Sequence, residues 1–68
     1  MNANKLKNKI AKKGLNVAKT AELINIDKSV LYRKLNGFEK FTVADATRLK
    51  DVLDLTDIEA SEIFLSQE

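Results

Sequence analysis

Residues Asn16 to Gly37 read NVAKTAELINIDKSVLYRKLNG, and the order of small, polar and apolar residues in this stretch decides the fold. Ala21 is small at the point where two helices must approach closely. Asn25, four residues later, tolerates the left-handed backbone that a sharp reversal needs. Ile26 supplies an apolar plug for the turn, and Leu31 follows five residues on. Asn16 and Asp27 are both good helix N-caps. The spacing predicts one helix from about Val17 to Ile24 and a second from Lys28 to about Asn36. A short turn sets them at a steep angle and projects the second outward, the layout of a helix-turn-helix. Val17, Ala21 and Ile24, with Thr20 beside them, are the inward positions of the first helix. Val30, Leu31 and Leu35 are those of the second.

The whole chain has no proline and only two glycines, Gly14 and Gly37, so helix is the default throughout. Leu6 and Ile10, with Ala3 behind them, share one face of a leading helix over about Ala3 to Lys13. Gly14 suits the left-handed position just past its end, with Leu15 folding back onto the last turn. Two capping boxes announce later helices. Thr42 with Asp45 precedes an apolar pattern at Val43, Ala46, Leu49, Val52 and Leu53, and Thr56 with Glu59 precedes Ile58, Ile63, Phe64 and Leu65. The expected architecture is all-α: a compact bundle of about five short helices, residues 1–68 forming a single helix-turn-helix domain.

Composition narrows the function. A chain of 68 residues buries only ~60% of the surface its unfolded form exposes, so its core must be thin. The chain has neither cysteine nor histidine, which removes disulfides, thiolate metal sites, the commonest zinc ligand and the commonest general base. No apolar run approaches the roughly 18 residues of a membrane span, and no signal-peptide pattern is present. These features lead to the expectation of a cytoplasmic protein with no metal, no cofactor and no membrane. The acidic pairs Asp51/Asp54 and Glu59/Glu62 have no histidine to activate a nucleophile beside them. They read as a solvated face, and an enzyme is not expected.

The net charge of +2 conceals an uneven distribution. Residues 1–40 carry ten Lys/Arg against three Asp/Glu, whereas residues 41–68 carry two against seven. One part of the molecule is therefore expected to attract polyanions and the other to repel them. The segment Lys28 to Gly37 concentrates the question, with three cations, a tyrosine and an asparagine arranged around few core residues.

At this point a family resemblance becomes plain. Gly14 to Gly37, GLNVAKTAELINIDKSVLYRKLNG, resembles the lambda-repressor-like helix-turn-helix proteins, the phage repressor and Cro group. It shares their Gly-Leu, polar N-cap, mid-helix alanine, turn, recognition helix and closing Asn-Gly. The stretch from Phe41 to Leu65, FTVADATRLKDVLDLTDIEASEIFL, is more loosely similar to the tail of small phage regulators of this type. The resemblance implies a transcriptional regulator that binds double-stranded operator DNA, usually as a homodimer, in the host cytoplasm and nucleoid. It implies that Lys28, Ser29, Tyr32 and Arg33 face base edges in the major groove. Arginine and lysine can donate to guanine O6 and N7, and serine is permissive. Asn16, Val17, Asn36 and Lys40 would serve backbone phosphates, the first two through the N-terminal end of helix two.

The chain also departs from the family pattern. Val17 stands where glutamine is common, Thr20 replaces a bulky apolar residue, and Leu23 falls at a solvated position. Lys34 occupies a site often apolar, with Leu35 taking over its packing role. If Val17 and Leu23 are exposed, they form a sticky patch that suits a different function: an antirepressor that binds a partner repressor protein through the same fold. Ile58, Ile63, Phe64 and Leu65 close part of the core and are also the candidate dimer interface. The lysines of helix one are expected to serve solubility and a general field.

Overall fold

The computed structural model describes residues 1–65 and is all-helical. Among the described residues there are five helices: α1 Ala3–Lys12, α2 Val17–Leu23, α3 Lys28–Leu35, α4 Val43–Val52 and α5 Asp57–Phe64. Each expected helix is present, with ends shifted by at most about one residue. Each is capped by the side chain of the residue before it. Asn2, Asn16, Asp27, Thr42 and Thr56 accept backbone N–H groups of the first turn. Both Thr42/Asp45 and Thr56/Glu59 form complete reciprocal boxes.

Four helices end in the same way. Gly14, Asn25, Gly37 and Asp54 take positive φ angles of 71°, 61°, 84° and 51°. In each case the next N–H returns to a carbonyl one turn back: Leu15 to Ile10, Ile26 to Ala21, Phe38 to Arg33 and Leu55 to Lys50, at 2.9–3.1 Å. The left-handed residue reverses the chain; Leu15, Ile26 and Leu55 then turn onto the core, whereas Phe38 stays exposed. Three of these turns are legible from Gly14, Asn25 and Gly37. Asp54 is the unexpected one, an aspartate accepting a conformation that glycine or asparagine adopts more readily.

The core is built from Leu6, Ile10, Ala21, Ile24, Leu31, Leu35, Leu49, Leu53, Leu55 and Ile63, all buried. Met1, Leu15, Val17, Ile26, Phe41, Val52, Ala60 and Phe64 pack around it. Helix α2 packs on α3, α1 on α5, and α4 on α5, within a body of 25 × 24 × 20 Å. Thr20 is wholly buried, and its hydroxyl donates to the Asn16 carbonyl at 2.7 Å. That bond satisfies the polar atom while the rest of the side chain fills the corner. Val43 does not join the core as its spacing predicts. It is exposed, because the apolar face of α4 runs through Ala46, Leu49, Val52 and Leu53.

The two charge blocks of the sequence are joined across the fold. Lys5 pairs with Glu62 at 2.6 Å, Lys9 with Glu59, and Lys13 with Asp54. Lys5 and Lys9 of α1, with Lys13 at its C-cap, therefore fasten the N-terminal helix to α5 and the turn before it, a role their sequence did not announce. Lys9 holds the Glu59 carboxyl down at about 2, helped by the Thr56 backbone N–H. Glu59 thus closes a helix cap and an interhelical pair at once.

Candidate nucleic-acid interface

Helix α3 exists because Asp27 caps its start and Gly37 releases its end, and its placement depends on what its inner arc buries. Leu31 and Leu35 are in the core, and Val30 is partly covered. At about 100° per residue, Lys28, Ser29, Tyr32 and Arg33 fall within roughly 140° of arc on the other side. All four are exposed. The geometry expected of them, side chains projecting from a two-helix corner, is present.

Their surroundings are more specific than the sequence suggested. The Ser29 hydroxyl donates to Asp27 Oδ2 at 2.5 Å, and the same oxygen accepts the Ser29 N–H at 3.0 Å. These bonds, and after them the nearby charges of Arg33 and Lys28, hold the Asp27 carboxyl below its ordinary range. Arg33 Nε donates to Glu39 Oε1 at 2.6 Å, with the two side chains 49% and 40% exposed. Tyr32 is half-exposed. Lys28 and Lys40 form no ion pair among the described residues.

Of the positions expected at phosphates, Asn36 and Lys40 are exposed at and beyond the C-terminal end of α3. Asn16 is exposed at the start of α2, and its side-chain oxygen accepts the Lys19 N–H at 2.7 Å. Val17 is partly buried against the core. Leu23 is half-exposed. The patch expected from Val17 and Leu23 together is therefore reduced to Leu23.

Lys34 is the residue whose role the sequence hid. It is not part of a solvated face. Its side chain is 9% exposed and its ammonium meets Asp45 Oδ2 at 2.5 Å, with the Asp45 side chain 6% exposed. Burial alone would raise the Asp45 carboxyl. The Lys34 ammonium and the N–H and hydroxyl of Thr42 outweigh it, and the net shift is downward. The Lys34 ammonium also lies 5.9 Å from the Phe41 ring centroid. One residue thus ties the inner side of α3 to the cap of α4 and to the loop that carries Lys40.

The candidate dimer residues divide. Ile63 is completely buried and its carbonyl accepts the Asn2 N–H at 2.8 Å, so it belongs to the core and not to an interface. Phe64 is partly buried, edge-on to Phe41 with ring centroids 5.7 Å apart. Ile58 and Leu65 are exposed. Phe38, and Val43, which was expected in the core, are exposed too. Val43, Ala46, Phe64 and Leu65 together line a groove along α4 and α5.

Among the described residues, no helix is long and apolar enough to cross a membrane. No His, Cys, Asp or Glu cluster among them is placed to hold a metal ion. No family model, curated protein or solved structure matches the chain.

Proposed function

We propose that this protein is a sequence-specific DNA-binding transcriptional regulator of the phage Cro/repressor type, with α3 as the helix that enters the major groove of an operator. The observation that supports this reading best is the division of α3. One arc is fixed by Leu31, Lys34 and Leu35, while Lys28, Ser29, Tyr32 and Arg33 remain exposed on the other. A helix held from behind and bearing two cations in front suits direct reading of base edges. Asn36 and Lys40, with Asn16 and Val17 at the start of α2, flank it as phosphate contacts that set its register. Association is driven by counterion release, and transcription is altered by occlusion of a promoter.

A homodimer completes the reading, because one such helix spans too few base pairs for useful affinity and half-sites lie about 34–36 Å apart. Its interface would use the exposed apolar side chains of α4 and α5, Val43, Ile58 and Leu65, with Phe64 beneath.

The test is selection from a random duplex library followed by footprinting and light scattering with and without the selected duplex. One enriched sequence with twofold symmetry, bound by two chains, is the expected result. Failure to enrich any sequence over a scrambled duplex would count against it. The rival reading, an antirepressor, rests on Leu23. It predicts no shift of any DNA alone but a tight complex with a partner repressor.

A further inference from the structure

The contact between Arg33 and Glu39 bears on how this surface would discriminate among sequences. A guanidinium has five N–H donors, and its Nε–H is engaged by Glu39 Oε1 at 2.6 Å. The four Nη hydrogens stay available as an end-on fork, the edge that matches guanine O6 and N7. Glu39 sits six residues after Arg33, beyond the Gly37 reversal. The turn that ends α3 is thus what brings this carboxylate back to the side chain. Asp27, at the opposite end of the helix, acts on Arg33 only through its field and is occupied by Ser29.

We propose that Glu39 is a specificity-determining residue: it holds the Arg33 guanidinium with its fork free for a guanine edge, and withholds it from backbone phosphates. The inference rests on the DNA-binding reading above. On a matching sequence Arg33 can keep Glu39 on Nε while donating two Nη bonds to guanine, so the carboxylate orients a flexible side chain before binding. On a non-matching sequence Arg33 gains only by turning to a phosphate. It must then leave Glu39, whose uncompensated charge faces the phosphate row. Glu39 therefore weakens non-matching complexes more than matching ones.

The experiment uses the full chain with two duplexes, one selected by the wild-type protein from a random library and a scrambled duplex of the same composition. Glu39→Gln should raise affinity for the scrambled duplex about two- to threefold, the size of one unit charge removed several ångströms from a phosphate in water. It should cut discrimination at the base pair read by Arg33 about five- to tenfold. Glu39→Asp keeps the charge but is too short to hold Nε. It should cut discrimination about two- to threefold, with scrambled-duplex affinity rising less than for Glu39→Gln because the negative charge stays. In an Arg33→Ala background the effect of Glu39→Gln on discrimination should vanish. An equal change on both duplexes, or additivity with Arg33→Ala, would overturn the proposal while leaving DNA binding intact. A wild-type protein that enriches no sequence would overturn the reading beneath it. Unchanged thermal midpoints of the exposed variants confirm that the comparison is between folded proteins.

Discussion

Arg33 and Lys34 are neighbours in sequence, both cations and both ion-paired, yet they belong to different regions of the molecule. Arg33 meets Glu39 in the open, and Lys34 meets Asp45 with both side chains almost fully covered. About 100° of helix rotation separates them. An exposed pair contributes ~0–1 kcal/mol because water already solvates both partners. A buried pair is different: its net contribution is small, but removing one partner strands the other and costs ~3–5 kcal/mol. The outer pair can therefore be broken and remade at little cost. The inner pair cannot, and it fixes the orientation of the helix that the outer one serves.

The largest effect should come from the inner side. Asp45→Ala removes the partner of Lys34 and half of the α4 capping box together, so a loss of about 3–5 kcal/mol is expected. A chain of this length has roughly 3–10 kcal/mol in all, so the variant should be largely unfolded by circular dichroism at 37 °C. Asp45→Asn combined with Lys34→Met keeps an acceptor for the Thr42 N–H and leaves no buried charge. It should recover more than half of that loss in urea titrations. A loss under about 1 kcal/mol for Asp45→Ala would place the inner pair with the exposed ones.

This contrast also explains what the sequence could and could not disclose. The corner of α2 and α3 was legible because its signals are local: Asn16 and Asp27 as caps, Asn25 and Gly37 at reversals, Ala21 and Leu31 inside. The outward placement of Lys28, Ser29, Tyr32 and Arg33 followed from helical periodicity. Lys34 was misread because a lysine looks the same from sequence whether it meets water or an aspartate eleven residues away. The pairs of Lys5, Lys9 and Lys13 with α5 and its preceding turn were missed for the same reason, since 41–57 residues separate the partners. Val43 left the core, and Ile63 took only the core half of its two expected roles, because the short α4 and α5 each carry more apolar residues than one face can bury. The periodicity did not rank them.

Acid should loosen the whole fold, the α2–α3 corner included, because the Asp27 carboxyl that caps α3 is also held below its ordinary range. Asp45, Asp57 and Glu59 all have folded-state carboxyl groups held below their ordinary values, Glu59 at about 2 through Lys9. Between the unfolded range near ~4 and those lower values, the unfolded chain binds more protons than the folded one. Stability is then fully present above about pH 5 and falls as pH drops toward 2. Thermal midpoints should decline across that window. Glu59→Gln should flatten part of the decline by removing one titrating group. A midpoint independent of pH from 6 to 2 would show that these pairs contribute nothing.

On the outer side the effects should appear in binding more than in folding. Arg33→Ala should lower the thermal midpoint by no more than about 4–8 °C, since it loses only an exposed pair worth ~0–1 kcal/mol. On a selected duplex it should cost ~1–3 kcal/mol and relax preference at one base pair. Uniform losses on selected and scrambled duplexes would reassign Arg33 to the phosphate backbone.

Lys40 should give the smallest change and the clearest complement to Arg33. It is exposed, forms no ion pair among the described residues, and follows the turn that ends α3. On the proposed reading, a lysine in that position would meet a phosphate as a point charge and carry no information about base identity. Lys40→Ala should therefore weaken matching and scrambled duplexes by the same factor. The slope of log affinity against log salt should fall by about one, one counterion fewer being released. Arg33 and Lys40 would then differ in kind on one surface, the first changing which duplex is preferred and the second only how tightly any duplex is held. An unchanged salt slope, or a loss confined to the selected duplex, would remove Lys40 from the backbone contacts and leave the register of α3 to Asn36 and the start of α2.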